Sequence, residues 1–365
     1  MNESLTIRAL EQVMRWDDDT IAKETLWLRL MSHFKYDSYH DYLGGVRFSE
    51  RLVDWLQQFR QEDRQAAYDY VRQRLIFISY AEMQHLVNWF FPAFVEPVLA
   101  VHVAAQLGVP PYLLWNHKDA EREFALALRK TLFVGLSDGA RMDMLRRANE
   151  RRISNEQVLV TTQVNQSKWQ DVLDELREDL KDNTARFSRV FLLDDFVGSG
   201  KTLLRREEKG GWTGKLKKFR NEHPRIFDTH FQSGWTLHVH HYVCSYEASG
   251  RVRETADEAR SELQSAWFEN ATFTFGLVLP ESVRLAPDRD ADFWERTEQY
   301  YDSVIETDSI RVGGKTAKRG FGECGLPLIL EHNTPNNSVA LLWAETAGEK
   351  GHPMRPLFRR AQRHW

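Results

Sequence analysis

The chain has 365 residues, a formal net charge of −4 and about two fifths apolar residues, with 12 Trp and 21 Phe. That length admits two domains or one core with a large elaboration; the apolar content excludes a disordered chain, and the near-neutral charge carries no global signature of nucleic-acid binding. Two cysteines, Cys244 and Cys324, make neither a disulfide framework nor a zinc spacing, and the opening MNESLTIRALEQV lacks the basic start and apolar run of a signal peptide, so the expectation is a cytoplasmic protein.

Residues 1–125 read as a helical region. Leu52, Trp55, Leu56 and Phe59 recur at helical spacing. Ser79 with Glu82 has the form of a capping box ahead of Met83, Leu86 and Val87. The stretch Leu86 to Ala105 is long enough to span a membrane, but it carries Asn88, Glu96, His102, Pro92 and Pro97. An intramembrane carboxylate and two helix breakers argue instead for a buried, broken core helix and no membrane. Gly108-Val109-Pro110-Pro111 is a break.

From Thr131 the rhythm changes. TLFVGL (Thr131 to Leu136) is a short apolar run, followed by the loop Ser137-Asp138-Gly139-Ala140 and a helix RMDMLRRAN. QVLVTTQV (Gln157 to Val164) reads as a strand, and WQDVLDELREDLKD as an amphipathic helix with Val172, Leu173, Leu176 and Leu180 on one face. RVFLLDD is a continuous apolar run of the kind buried on both faces of a sheet. WTLHVHHYVCSYEA (Trp235 to Ala248) and ATFTFGLVLP (Ala271 to Pro280) give two further strands. Strands alternating with helices predict an α/β fold with a mostly parallel sheet and helices on both faces, whose ligands sit at the carboxyl ends of the strands. Residues 207–234 read as a loop-like insertion bearing Lys215, Lys217, Lys218, Arg220 and Arg225, either a solvated basic face or a flap that contacts phosphate or nucleic acid. The division expected is a helical region over 1–125, an α/β core over 126–300 and a C-terminal hood over 301–365. The hood is irregular, with a strand at LPLILE and a basic end at Arg355, Arg359, Arg360 and Arg363.

The most informative stretch is VFLLDDFVGSGKT, Val190 to Thr202. Four apolar residues lead into Asp194 and Asp195, then Phe196 and Val197, then Gly198, Ser199, Gly200, Lys201 and Thr202, with Leu203 to Arg206 read as a helix start. Backbone N–H groups in a glycine-rich turn can hold phosphate, and two carboxylates can hold sugar hydroxyls or, through water, magnesium. GSGKT alone would suggest a P-loop NTPase, but that loop needs a glycine four residues before Gly-Lys-Thr, where Asp195 stands. A purely structural strand and turn is a third reading, although two adjacent aspartates at a strand end are costly unless solvated or liganded.

The pattern of four hydrophobics, two acids, two apolar residues and a five-residue small or polar loop ending in Thr resembles the phosphoribosyl pyrophosphate motif of type I phosphoribosyltransferases. It departs from the family at Lys201, where a small residue is usual. With Gly135 to Val160 and Phe321 to Trp343, the motif is similar to a divergent group of phosphoribosyltransferase-like proteins of bacterial conflict systems, including retron-associated ones. The resemblance covers about two thirds of the chain, more weakly between 207 and 320.

The resemblance implies that Asp194 and Asp195 bind the ribose 2′- and 3′-hydroxyls and magnesium, and that Gly198, Ser199, Gly200, Lys201 and Thr202 hold the 5′-phosphate. It places the pyrophosphate loop at Ser137, Asp138 and Gly139, with Arg141 meeting pyrophosphate and Asp138 acting through the metal; an ordinary capped turn is the alternative there. Glu331-His332-Asn333-Thr334-Pro335-Asn336-Asn337 is either a turn or a recognition loop in which Asn333, Asn336 and Asn337 read a base and His332 is an acid or base. His238, His240 and His241 hint faintly at metal and more strongly at packing. The function implied is a Mg2+-dependent transfer or cleavage at the anomeric carbon of phosphoribosyl pyrophosphate or a nucleotide, serving as an antiphage effector. Partners would be a reverse transcriptase with its RNA or DNA, a winged-helix protein, or a second copy in a homo-oligomer. A module that senses a ribose phosphate without turnover is the alternative.

Overall fold

A computed structural model describes residues 3–161, 164–222 and 224–360; Thr162, Gln163 and Arg363, named above, lie outside the described residues. Among these residues the strands are β1 (Ile76–Ile78), β2 (Thr131–Gly135), β3 (Val158–Leu159), β4 (Phe187–Val197), β5 (Arg205–Arg206), β6 (Trp212–Thr213), β7 (Phe231–Ser245), β8 (Ala271–Leu279) and β9 (Leu328–Leu330). The chain forms two compact units. One combines the residues up to Met83 with those from Pro280 onward, and the other runs from Gln84 to Leu279. This division differs from the segments 1–125, 126–300 and 301–365, because apolar residues of both chain ends share one core.

In the discontinuous unit, β1 and β9 pair in parallel, with Phe77 opposite Ile329. Helix Phe48–Leu56 buries Phe48, Leu52, Trp55 and Leu56 completely, as their spacing requires. Phe358 supplies the other side of this core, stacking against Tyr42 and Phe48 at 5.7 and 5.6 Å. Trp55 Nε1 donates to the Leu341 carbonyl at 2.6 Å. The C-terminal segment therefore completes the N-terminal helical layer. The capping box forms: Ser79 N donates to Glu82 Oε2 at 2.8 Å, and Glu82 N to Ser79 Oγ at 3.3 Å.

Helix Tyr80–Phe90 continues through a π-turn, Phe91–Val95, into helix Glu96–Leu107. The wider π-turn accommodates Pro92 without a break, and Pro97 falls in the first turn after it. Val87, Phe90, Phe91, Val95, Leu99 and Val103 form a buried stripe, while Trp89 and Val101 are 52% and 56% exposed. The whole stretch is long and apolar enough to cross a membrane by length and composition, with 33% of its apolar window buried. It is thus a one-sided helix, where the sequence reading expected a buried core element.

In the second unit a five-stranded sheet has the order β3-β2-β4-β7-β8, every pair parallel. Side chains alternate across it. Phe133, Phe191 and His240 meet Phe90 on one face. Leu132, Val190, Leu192 and Val239 join Trp169, Val172, Leu173 and Leu176 of helix Gln166–Leu180 on the other. The fold is the α/β architecture expected. Two boundaries differ. Only Val158 and Leu159 of the run Gln157 to Val164 pair as strand among the described residues. The strand read through Ala248 ends at Ser245, whose Oγ accepts from Ala248 N at 3.0 Å and caps helix Tyr246–Leu263.

Candidate active site

Asp194 and Asp195 lie on β4 beyond the end of β2. The last β2–β4 pair is Gly135 opposite Leu193, and Leu136 N donates to Leu193 O at 2.8 Å. The chain then turns at Ser137, whose Oγ accepts from Gly139 N at 3.2 Å and donates to Asp194 Oδ1. Gly139 touches the second acid so closely that a Cβ there would sit 2.3 Å from Asp195 Oδ2. The two loops read separately from the sequence thus form one site at the carboxyl end of a parallel sheet. Arg141, at φ +54, ends the turn and opens helix Met142–Ala148.

Asp194 is 2% exposed. Its second oxygen, Oδ2, is ion-paired with Lys215 Nζ. Burial, reinforced by the Asp195 charge and opposed by the Lys215 ammonium and the Ser137 hydroxyl, holds its carboxyl above the usual carboxylate value. Asp195 is half-buried; its Oδ1 accepts from Phe196 N at 2.8 Å. His241 lies opposite Asp194 on β7 and is fully buried. Burial, aided by Lys215 and opposed by Asp195, pushes its imidazole down to about 3, so it is neutral. Tyr242, next along β7, is also fully buried, and the field of both aspartates adds to the burial that raises its phenol. The sequence reading names Lys215 in the basic insertion and His241 among the strand histidines but joins neither to the acid pair, and it does not single out Tyr242. Lys215 stands in a basic run that reads as a solvated face or as a flap contacting phosphate or nucleic acid, and the other two reach the acids only through the β4–β7 register.

The glycine loop is built from below. Ser245 Oγ donates to Gly198 O, and Arg251 Nη1 to Ser199 O at 3.1 Å. Gly198, Ser199 and Gly200 are buried, Lys201 half-buried and Thr202 exposed. Gly200, at φ +75, would place a Cβ 3.1 Å from Val252 Cγ1. No helix starts at Leu203. Leu203 and Leu204 turn inward and are buried, Arg205–Arg206 becomes β5, and the turn at Gly210 and Gly211 (φ +84 and +97) returns the chain along β6. The loop therefore offers an anion its own N–H groups and hydroxyls, without a helix terminus. The same departure removes the strand–loop–helix context that a P-loop requires. The insertion 207–234 is also more ordered than expected: helices Lys215–Glu222 and Pro224–Thr229 bury Leu216, Phe219, Ile226 and Phe227.

The remaining sequence candidates fall in two places. His238 and His240 pack on Phe191 and Phe90 and share hydrogen bonds with Thr272 and Thr274 at 2.6 and 2.9 Å. Among the described residues no group of three His, Cys, Asp or Glu side chains could hold a metal ion. His332, Asn333, Asn336 and Asn337 belong to the other unit. There Asn337 is buried and its Nδ2 donates to Phe321 O at 2.8 Å and to Cys324 Sγ at 3.3 Å, so its amide braces the fold. Asn336 O accepts from Phe321 N, and Asn333 closes a turn on Leu330. His332 Nδ1 lies 3.6 Å from Glu331 Oε1.

An acid pair on a buried strand, packed against a preceding strand-to-helix turn and followed by a glycine loop, is the arrangement the motif implied. The sequence model of the PRTase-CE family matches residues 52–360. The chain belongs to the PRTase-CE family. It is phosphoribosyltransferase-like, and the match takes in both compact units. No curated protein and no solved structure matches the chain. A separate cleft of about 700 Å3 lies at the opposite, amino end of β7 and β8, lined by Arg186, Arg220 and Arg260 among others. No phosphoribosyltransferase-like motif maps to it.

Proposed function

We propose that this PRTase-CE protein binds a phosphoribosyl pyrophosphate-like substrate at the Asp194–Asp195 pair and catalyses transfer or cleavage at its anomeric carbon. The observation that carries this reading is the convergence of three segments: Asp194 bonded to Ser137, Asp195 packed on Gly139, and the Gly198–Thr202 loop following directly on β4. The carboxylates would accept hydrogen bonds from the ribose hydroxyls, and their negative field would favour the cationic anomeric centre. The N–H groups of the Gly198–Thr202 loop would hold the 5′-phosphate, and the Ser137–Gly139 turn the diphosphate. The carbon–oxygen bond to diphosphate breaks with its electron pair leaving on oxygen. The acceptor's lone pair forms the new bond to the anomeric carbon, and the acceptor's proton passes to solvent. Catalysis on this account is positioning and electrostatics.

The donor set fits magnesium through Asp195 together with substrate oxygens and water, since Mg2+ keeps several waters and takes few protein carboxylates. When bound it would supply charge to the leaving diphosphate. Service as an antiphage effector beside a reverse transcriptase, in the cytoplasm, is part of the proposal and rests on the resemblance of the motifs. The engagement of both Asp194 oxygens favours, as a second reading, a sensing module that binds without turnover. Incubation with phosphoribosyl pyrophosphate, Mg2+ and a nucleotide pool should release diphosphate. Asp194→Asn with Asp195→Asn should abolish release while the protein still melts cooperatively. Undiminished release by that variant would refute the catalytic assignment, and binding without release would select the sensor.

A further inference from the structure

The insertion that follows the glycine loop folds back onto it at one point. Gly214 sits at φ +122, and a Cβ there would lie 2.5 Å from the Leu203 carbonyl oxygen. The next two amides fasten the return: Lys215 N donates to Thr202 O at 3.0 Å and Leu216 N to Leu203 O at 3.1 Å. Leu216 and Phe219 are buried in the core beneath the sheet, so the first turn of helix Lys215–Glu222 is anchored. The backbone therefore aims Lys215 inward while Lys218, one turn on, is exposed. Of the basic residues in the insertion, Lys215 is the one ion-paired to Asp194.

The two oxygens of Asp194 hold different things. Oδ1 takes the hydroxyl of Ser137, which begins the turn 137–141, and Oδ2 takes the Lys215 ammonium. The oxygens of one carboxylate are immediate neighbours, so the ammonium stands beside the turn assigned above to diphosphate. A ribose diol arriving at the acid pair brings its own hydroxyl donors to Asp194 and can replace the ammonium there. A lysine is a compact charge on a flexible stem, so it can move to a neighbouring anion by side-chain rotation alone.

We propose that Lys215 binds the diphosphate of the substrate and so sets a preference for phosphoribosyl pyrophosphate over ribose 5-phosphate. The assignment rests on the ribose-phosphate reading of the Asp194–Asp195 site. It gives the insertion a function: the hairpin β5–β6 spans the interval needed to return a cation from the far end of the loop to the acid pair.

Calorimetric titration of the full chain with phosphoribosyl pyrophosphate and, separately, ribose 5-phosphate tests this. Lys215→Met should weaken phosphoribosyl pyrophosphate binding by roughly tenfold or more, as for loss of a charge-assisted hydrogen bond. It should leave ribose 5-phosphate affinity nearly unchanged, and Lys215→Arg should retain most of the affinity for both. Equal loss for the two ligands, or no loss, overturns the Lys215 assignment and leaves the site reading intact. A wild-type chain that binds neither ligand overturns the site reading and the Lys215 role with it. If Lys215→Met fails to fold by circular dichroism, Lys215→Gln, which is uncharged but keeps a hydrogen-bond donor, takes its place with the same expected contrast.

Discussion

Gly139→Ala isolates the contact that joins the two motifs. The added Cβ would lie 2.3 Å from Asp195 Oδ2 and 2.7 Å from its Cγ, against an ordinary contact limit near 3.4 Å. The carboxylate must therefore retreat by about 1 Å, a displacement that can cost on the order of 100-fold where a group must meet a reacting substrate. Stability should change far less. Gly139 does not adopt a left-handed backbone, so alanine brings an unfolded-state gain of about 0.4–1 kcal/mol. Overpacking opposes it at about 1–3 kcal/mol, at the low end because the obstructing atoms end a half-buried side chain. The net expectation is a loss of less than about 1 kcal/mol in urea unfolding, beside a fall of about 100-fold in diphosphate release or ligand affinity. Wild-type activity in Gly139→Ala would show that Asp195 need not sit against the turn and would refute the joint site.

Three further outcomes are expected. Gly214→Ala should destabilise by about 2 kcal/mol, because its Cβ meets backbone atoms of Leu203 and Leu204 and its φ of +122 is strained for alanine; an unchanged denaturant midpoint would contradict this. Burial pushes His238 down to about 4, well below the ordinary 6.5. Its depressed value contributes stability that is full above about pH 6.5 and falls by about 1.4 kcal/mol per pH unit toward pH 4. His238→Gln should flatten that acid limb in urea titrations at pH 7, 6 and 5, and an unaltered slope would count against it. Trp55→Phe should cost about 1–3 kcal/mol in the same assay, since the Leu341 carbonyl loses its buried partner.

Much of the site was legible because it is local. The run Val190 to Leu193 reads as a buried strand, as it is, and acids at its end followed by glycine and serine single out a candidate ligand loop without reference to the rest of the chain. The turn at Ser137 was legible for the same reason. What escaped was long-range. Leu203 to Arg206 carries good helix formers, yet the paired glycines at 210 and 211 let Trp212 and Thr213 return against Arg206 and Arg205, and the hairpin prevails. Lys215 reads as one charge among five until the backbone of Gly214 turns it toward Asp194. The sharing of one core by Trp55 and Phe358 depends on chain ends that local patterning cannot connect.

Titration calorimetry of the intact chain with phosphoribosyl pyrophosphate and Mg2+ tests the central claim most directly. Saturable one-site binding in the wild type, abolished by Asp194→Asn with Asp195→Asn in a protein that retains its melting transition, is the predicted result. Binding of equal strength in that double variant, or no binding by the wild type, would contradict it.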